Sequence, residues 1–229
     1  MGHEIEKIVR ERGHSVVATP DNESDWEHIS LGPEICDVVI DFSSPHSASQ
    51  VVNHCLNSSV AIVSGTTGWQ AELELSKELC KVKQGSFFYA PNFSIGVNIF
   101  FEINRTLARL ISGHNYHARL GEIHHIHKLD APSGTAIALA NGIIAEHPDY
   151  TKWTSGSATE SQTLPVSSER IGEVPGTHTV DWVSETDTIE IKHTAHNRIG
   201  FAMGAVLAAE WLEGHKGFYG MADLLNAGR

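Results

Sequence analysis

The chain has 229 residues, 41% hydrophobic and 19% charged, which suffices for one large domain or two modest ones. Its formal net charge of −12 argues against nucleic acid or an anionic membrane as partner, so any site for an acidic ligand must be basic locally. Cys36, Cys55 and Cys80 form no CxxC pair, no run approaches the ~20 apolar residues of a membrane span, and residues 1–7 lack an apolar signal core, so the expectation is a soluble cytoplasmic protein.

Ile5, Ile8 and Val9 recur at helical spacing across residues 2–12, and Gly13 is a natural stop. A short strand is expected at 15–19, followed by a Pro20-Asp21-Asn22 turn, then a buried strand at 37–42. Pro45 opens a helix carrying Val51, Val52 and Cys55. A strand at 60–64 runs into Gly65-Thr66-Thr67-Gly68-Trp69, a helix follows to about Lys83, and Phe87-Phe88-Tyr89 is a further strand. Strands alternating with helices predict a doubly wound, Rossmann-like parallel sheet with ligands at the carboxyl ends of its strands. The candidate ligand loops are Asp21, the 42–45 turn, Gly65-Thr66-Thr67 and Ala90-Pro91-Asn92-Phe93, where small residues let a phosphate-bearing cofactor approach the backbone.

A long helix is predicted over 95–110, with Val97, Phe100, Phe101, Ile103, Leu107, Leu110 and Ile111 as its apolar side. Beyond it the pattern changes to α+β. A histidine-rich strand, a helix at 134–146 and strands at 177–183 and 188–192 suggest an open mixed sheet, with the Ser/Thr-rich stretch 150–165 read as a surface loop. The final helix, from Ala202 to Leu212, is expected to pack back on the first domain. The division is therefore 1–96 with 202–229 as the dinucleotide-binding domain and 97–201 as a second domain for substrate and oligomer contacts, with hinges near 94–96 and 198–200.

The second domain carries the most informative stretch, Glu122-Ile-His-His-Ile-His-Lys-Leu-Asp-Ala-Pro-Ser-Gly-Thr-Ala136. Read as an extended strand, it puts His124, Ile126 and Lys128 on one face and His125 and His127 on the other. The Pro132-Ser133-Gly134-Thr135 turn then opens an apolar helix whose free amides make an anion site. Imidazole, ammonium and amides together suit a small carboxylated substrate that must be held and given a proton. Three rival readings stand beside this one. The cluster could ligate zinc in a hydrolase, although alternation splits its histidines between faces. It could be a solvated strand, and the chain could be a non-catalytic dicarboxylate-binding module.

One feature breaks the nucleotide-fold pattern: the chain starts on a helix, with no leading strand and no GxGxxG turn, only Met1-Gly2 where the last glycine of such a turn would stand. A central strand cannot be dropped cheaply, since its neighbours lose their ladder. The expectation is that a strand and its phosphate loop are missing through a misplaced start or a truncation. The competing idea is a fold that never had them.

With these residues in view, the chain resembles the 4-hydroxy-tetrahydrodipicolinate reductase (dihydrodipicolinate reductase) family of bacterial lysine and diaminopimelate synthesis. The most specific match is 122–136, which follows the pattern ExHHxxKxDxPSGTA. Gly65-Thr66-Thr67-Gly68, Asn92-Phe93-Ser94-x-Gly96-x-Asn98 and Arg198-x-x-Phe201-Ala202-x-Gly204-Ala205 also agree. The resemblance implies an NADH- or NADPH-dependent oxidoreductase, generally a homotetramer, with no metal. It implies His124 as general acid/base, Lys128 as proton donor, and His125, Gly134 and Thr135 as holders of the substrate carboxylates. Gly65, Thr66 and Thr67 would contact the nicotinamide half, with Ala90, Pro91, Asn92 and Phe93 lining the same cleft. Asp21 takes the acidic ribose-binding position, where a carboxylate repels a 2′-phosphate and favours NADH. The departure is the absent phosphate loop, which leaves a truncated, inactive dicarboxylate-binding or assembly protein of the same fold as the alternative.

Overall fold

The computed structural model describes residues 1–21, 26 and 29–227, in which the chain folds as two compact units, Met1–Ile95 with Ile199–Arg229, and Gly96–Arg198. The chain passes from one unit to the other at residues 95–96 and returns at 198–199.

Unit 1 is built on a parallel sheet of four strands in the order β1-β2-β3-β9: β1 (Val38–Asp41), β2 (Ala61–Ser64), β3 (Ser86–Tyr89) and β9 (Gly217–Tyr219). Their apolar, β-branched and aromatic content suits a sheet covered on both faces. On one side Val51, Val52, Cys55 and Leu56 of α2 (Ala48–Asn57) and Leu73 and Cys80 of α3 (Gln70–Lys83) pack with Ile62 and Phe87. On the other, Val63 and Phe88 meet the small-residue surface of α6 (Ile199–Leu212), together with Ile5 and Ile8 of α1 (Gly2–Glu11). α6 is apolar all round, as a helix buried on most sides must be. Gly13, at φ +89°, stops α1, a left-handed conformation that glycine adopts without steric cost.

Residues 15–19 do not form the expected strand. No strand lies beside them among the described residues, Val17 is 60% exposed, and an extended segment without a ladder partner has nothing to hold it. Asp21 therefore follows an irregular segment rather than a strand end.

Unit 2 is a five-stranded mixed sheet, β5-β6-β4-β7-β8: β4 (His117–His124), β5 (Lys152–Ser155), β6 (Thr163–Arg170), β7 (Thr177–Val183) and β8 (Thr188–Thr194). β4 runs parallel to β6 and antiparallel to β7. Two helices, α4 (Ile95–Ile111) and α5 (Gly134–Glu146), belong with this sheet. Residues from α4, α5 and the strands share a core that includes Phe100, Leu139, Ile143, Leu120, Leu164, Val180 and Trp182. The buried stripe of α4 is Val97, Phe100, Asn104, Ala108 and Ile111, whereas the expected Ile103 and Leu110 are exposed. Asn104 earns its buried place by donating from Nδ2 to the carbonyl of Leu139 at 3.0 Å.

Two further readings are corrected here. The stretch 150–165 is not one loop, since β5 and the start of β6 lie within it, with Leu164 fully buried at the β5–β6 pairing. The four-residue β5 in a Ser/Thr-rich context carries too few alternations to be recognised from pattern, and the eight-residue β6 holds only Ser and charged residues after Val166. The histidine strand ends at His124; residues 125–128 form a turn closed by Lys128 N donating to His125 O at 3.1 Å, so the alternation argument stops there. A small helix, α7 (Met221–Asn226), completes the elements described.

Candidate active site

In unit 2 the functional side chains gather where β4 ends and α5 begins. Alternation along β4 turns Ala118, Leu120, Glu122 and His124 inward. The register then sets Glu122 directly opposite His178 of β7 and His124 opposite Arg170 of β6. Glu122 is buried, and both of its oxygens accept from the backbone N–H of Ser133 at 3.1 Å. Arg170 donates to Oε1 from Nη2 at 3.3 Å and from Nη1 at 3.4 Å. Burial alone would raise this carboxyl, but hydrogen bonding from His178 and Ser133 outweighs it and holds the group well below the usual carboxylate range.

His124 is 7% exposed, with Nδ1 3.4 Å from Glu122 Oε2 but too poorly aligned to form a hydrogen bond. Its ring meets His178 edge to face at 5.0 Å between centroids. Desolvation lowers its pKa to about 4; the Glu122 charge opposes this, while His178, Lys128 and Arg170 add to it. His124 is thus a neutral imidazole at pH 7, without even the fraction of protonated form an ordinary histidine keeps there. Lys128, half-buried, ion-pairs with Asp130 at 2.7 Å. His125 is partly buried and lies 6.0 Å from the ring of His127, which reaches the exposed Glu173 at 3.2 Å.

The mouth of α5 follows from its sequence. Ser133 is an extended N-cap whose Oγ accepts from Ala136 N at 3.2 Å and pairs with His178 Nε2 at 3.1 Å. Ser133's own amide is taken by Glu122, and Ile137 N donates to Ser133 O. Among the described residues, the amides of Gly134 and Thr135 have no protein acceptor, which leaves a two-donor anion mouth.

One ligand atom each from Glu122, His124 and His178 lies within 4.8 Å of the others, a grouping in which Glu122 and His178 had no part in the zinc reading of the sequence. The Arg170 guanidinium and the Ser133 amide already occupy the Glu122 carboxylate, and a fixed cation at 3.3 Å opposes a divalent ion there.

In unit 1 three of the four expected cofactor loops, those after Asp41, Ser64 and Tyr89, sit at consecutive strand ends. Asp41, buried at the end of β1, accepts from Ser43 N at 3.1 Å, Ser64 Oγ at 2.8 Å and Thr66 Oγ1 at 2.9 Å. At Gly65 a Cβ would stand 2.3 Å from the Phe42 ring, so any side chain there would need that ring to move. Thr67 is exposed, and the carbonyl of Thr66 accepts from Trp69 Nε1 at 2.6 Å. After β3, Ala90 N donates to Ser64 O, Pro91 is exposed, and Asn92 closes a turn on Ser94 N at 2.9 Å. The side chain of Phe93 is core, packed on Phe42 and Phe88. Asp21 borders a cavity of about 470 Å³ lined also by Trp26, Ser43, Ser44, His46 and His54.

Sequence reasoning assigned no role to Asp41, Glu122, Arg170 or His178. Glu122 stood inside the quoted motif, but its partners depend on strand register, which one sequence does not reveal.

A parallel nucleotide-type sheet in one unit and a buried imidazole, an ammonium and a free helix mouth in the other define a two-unit α/β protein of the dehydrogenase type. Family models described as dihydrodipicolinate reductase, N-terminus and C-terminus, match residues 1–93 and 96–225, and the chain belongs to the dihydrodipicolinate reductase family. It is 44% identical to the 4-hydroxy-tetrahydrodipicolinate reductase of Christiangramia forsetii over 227 residues, 99% of this chain and 94% of that one. It is 37% identical to the enzyme of that name from Acinetobacter baumannii, over 84% of this chain and 72% of the relative. A dipicolinate-bound dihydrodipicolinate reductase from Paenisporosarcina sp. TG-14 shares the fold at a TM-score of 0.75 and 23% identity, covering 97% of this chain and 94% of that one.

Proposed function

We propose that this chain reduces 4-hydroxy-tetrahydrodipicolinate to tetrahydrodipicolinate with NADH or NADPH, a step of lysine biosynthesis. The observation that carries this reading is the pair of unclaimed amides at Gly134 and Thr135 beside Lys128 and His124, in a chain whose relatives bear that activity in their names. The reaction consumes one hydride and one proton and releases the 4-hydroxyl as water. Bound nicotinamide supplies the hydride; everything else falls to the protein.

The free amides and Lys128 offset the two carboxylates of the substrate, and His125 stands at the same loop. Lys128 is the cation of the pair and delivers the proton. His124, neutral at pH 7, hydrogen-bonds to the substrate and gains proton affinity as a dianion arrives in its desolvated surroundings. In unit 1, Gly65, Thr66 and Thr67 with Ala90, Pro91 and Asn92 border the nicotinamide half, the backbone of Phe93 continues that edge, and the cavity beside Asp21 takes the adenosine half. Its described lining holds no lysine or arginine for a 2′-phosphate, and the Asp21 carboxylate repels one, so NADH is the favoured cofactor. The chain works in the cytoplasm as a homotetramer, as the family resemblance implies. No described helix is long and apolar enough to cross a membrane.

Steady-state turnover tests the assignment. Lys128→Ala and His124→Gln each lower kcat by about two to four orders of magnitude, the loss expected for a positioned proton-transfer group. Unchanged turnover in either variant would remove that residue from the mechanism.

A further inference from the structure

Residues 125–131, which carry Lys128, contain no buried side chain, and Leu129 at their tip is 98% exposed. Hydrophobic packing therefore cannot set the position of the lysine. Instead backbone hydrogen bonds hold it: Ile126 N donates to Gly172 O at 3.0 Å on its near side, and one guanidinium ties down the stretch from Lys128 to Asp130. Arg170 donates from Nε to the carbonyl of Lys128 at 3.2 Å, from Nη2 to that of Asp130 at 2.5 Å, and from Nη1 to that of Glu169 at 2.8 Å. The same fork reaches Glu122 Oε1, and the Glu122 carboxylate takes the Ser133 amide at the mouth of α5. Glu122 is also two residues before His124 on β4, the strand that ends the site. A single charge pair, with Glu122 buried and Arg170 partly so, thus connects the lysine loop, the helix mouth and the histidine strand.

We propose that Glu122 and Arg170 are the positioning residues of this reaction, holding the Lys128 carbonyl and the Ser133 amide so that ammonium and anion mouth address one dicarboxylate. This rests on the reductase reading above. Lysine in place of Arg170 would keep the charge but not the planar fork that serves four acceptors at once. A misplacement of the lysine by about 1 Å is enough to cost on the order of a hundredfold in rate.

The test uses purified Arg170→Lys, Arg170→Gln and the double variant Glu122→Gln/Arg170→Gln beside the unaltered protein. Substrate kcat and KM, the Kd of dipicolinate and the Kd of NADH are measured for each, with Tm as the fold control. Both Arg170 variants should lose about a hundredfold in kcat/KM for the substrate and bind dipicolinate more weakly, while NADH affinity is unchanged. The double variant removes both charges together, so its Tm recovers relative to Arg170→Gln while its kcat/KM does not. Activity that returns along with Tm would make the pair merely structural and overturn the proposal, as would wild-type kcat/KM in Arg170→Lys. Loss of folding in all three would have the same consequence. Absence of turnover in the unaltered protein would instead sink the reductase reading, so the two failures are distinct.

Discussion

The buried imidazole of His124 makes folding stability depend on pH in a direction that can be measured. Its pKa is lowered from 6.5 to about 4 in the folded chain, chiefly by desolvation. Between those values the unfolded chain binds a proton that the folded chain refuses, so stability falls as pH drops through 6.5 and levels off below about 4. The two values give a loss of about 2 kcal/mol at pH 5 relative to pH 7.5, rising to about 3 kcal/mol at pH 4. Glu122 acts at lower pH: its carboxyl is held low, so the stability it contributes is present above 4.5 and is lost as pH falls below that. The interval from pH 7.5 to 5 therefore isolates the histidine contribution. His147 and His193 are also shifted down by burial, so the comparison must be with a variant rather than with theory. Urea unfolding at one protein concentration, for the unaltered chain and His124→Gln at both pH values, supplies it. The glutamine variant should lose about 2 kcal/mol less than the unaltered chain across that interval. Equal losses in the two proteins would show that His124 titrates normally, and the neutral-imidazole argument would fall with it.

Three other outcomes follow from the geometry. Asp41→Ala leaves the hydroxyls of Ser64 and Thr66 without their acceptor, which should cost about 2–4 kcal/mol in urea unfolding and weaken NADH binding measured by fluorescence, because the Gly65–Thr66 turn is released. Gly204→Ala in α6 would bring a Cβ to 1.7 Å from the Phe93 carbonyl oxygen, an overlap that only backbone movement relieves; a loss of about 3 kcal/mol or more is expected, and an unchanged Tm would refute the close packing. NADH should give a higher kcat/KM than NADPH, and Asp21→Ala should narrow that gap; a preference for NADPH in the unaltered chain would contradict the reading of the cavity beside Asp21.

How much of this was legible in the sequence depends on the range of the interaction involved. The helices at 2–11, 70–83, 95–111 and 134–146 and the strands β1, β2 and β3 were readable because apolar period and stop residues lie within one window, whereas the three-residue β9 was not expected. The strand expected at 15–19 was a sound local reading that failed for want of a neighbour, and β5 and β6 were overlooked because their signal is mainly the partner strand. Within the motif 122–136, Glu122 lies 3.4 Å from His124 and takes the Ser133 amide at the start of the helix that Gly134 and Thr135 open. What could not be read was the wiring. Arg170 lies 48 residues from Glu122 in sequence, and His178 faces Glu122 only through the β4–β7 register. The protonation of His124 was likewise hidden, since burial is a property of the folded core.

Hydride delivery to a dicarboxylate ring is the claim on which the account turns, and isotope transfer measures it directly. NADH deuterated at the transferring position of C4 is incubated with the unaltered chain and 4-hydroxy-tetrahydrodipicolinate, and the product is weighed by mass spectrometry. The account predicts one deuterium in the tetrahydrodipicolinate ring for each NADH oxidised, with neither event when substrate is left out. Product free of label, or no NADH oxidation in the presence of substrate, would contradict it.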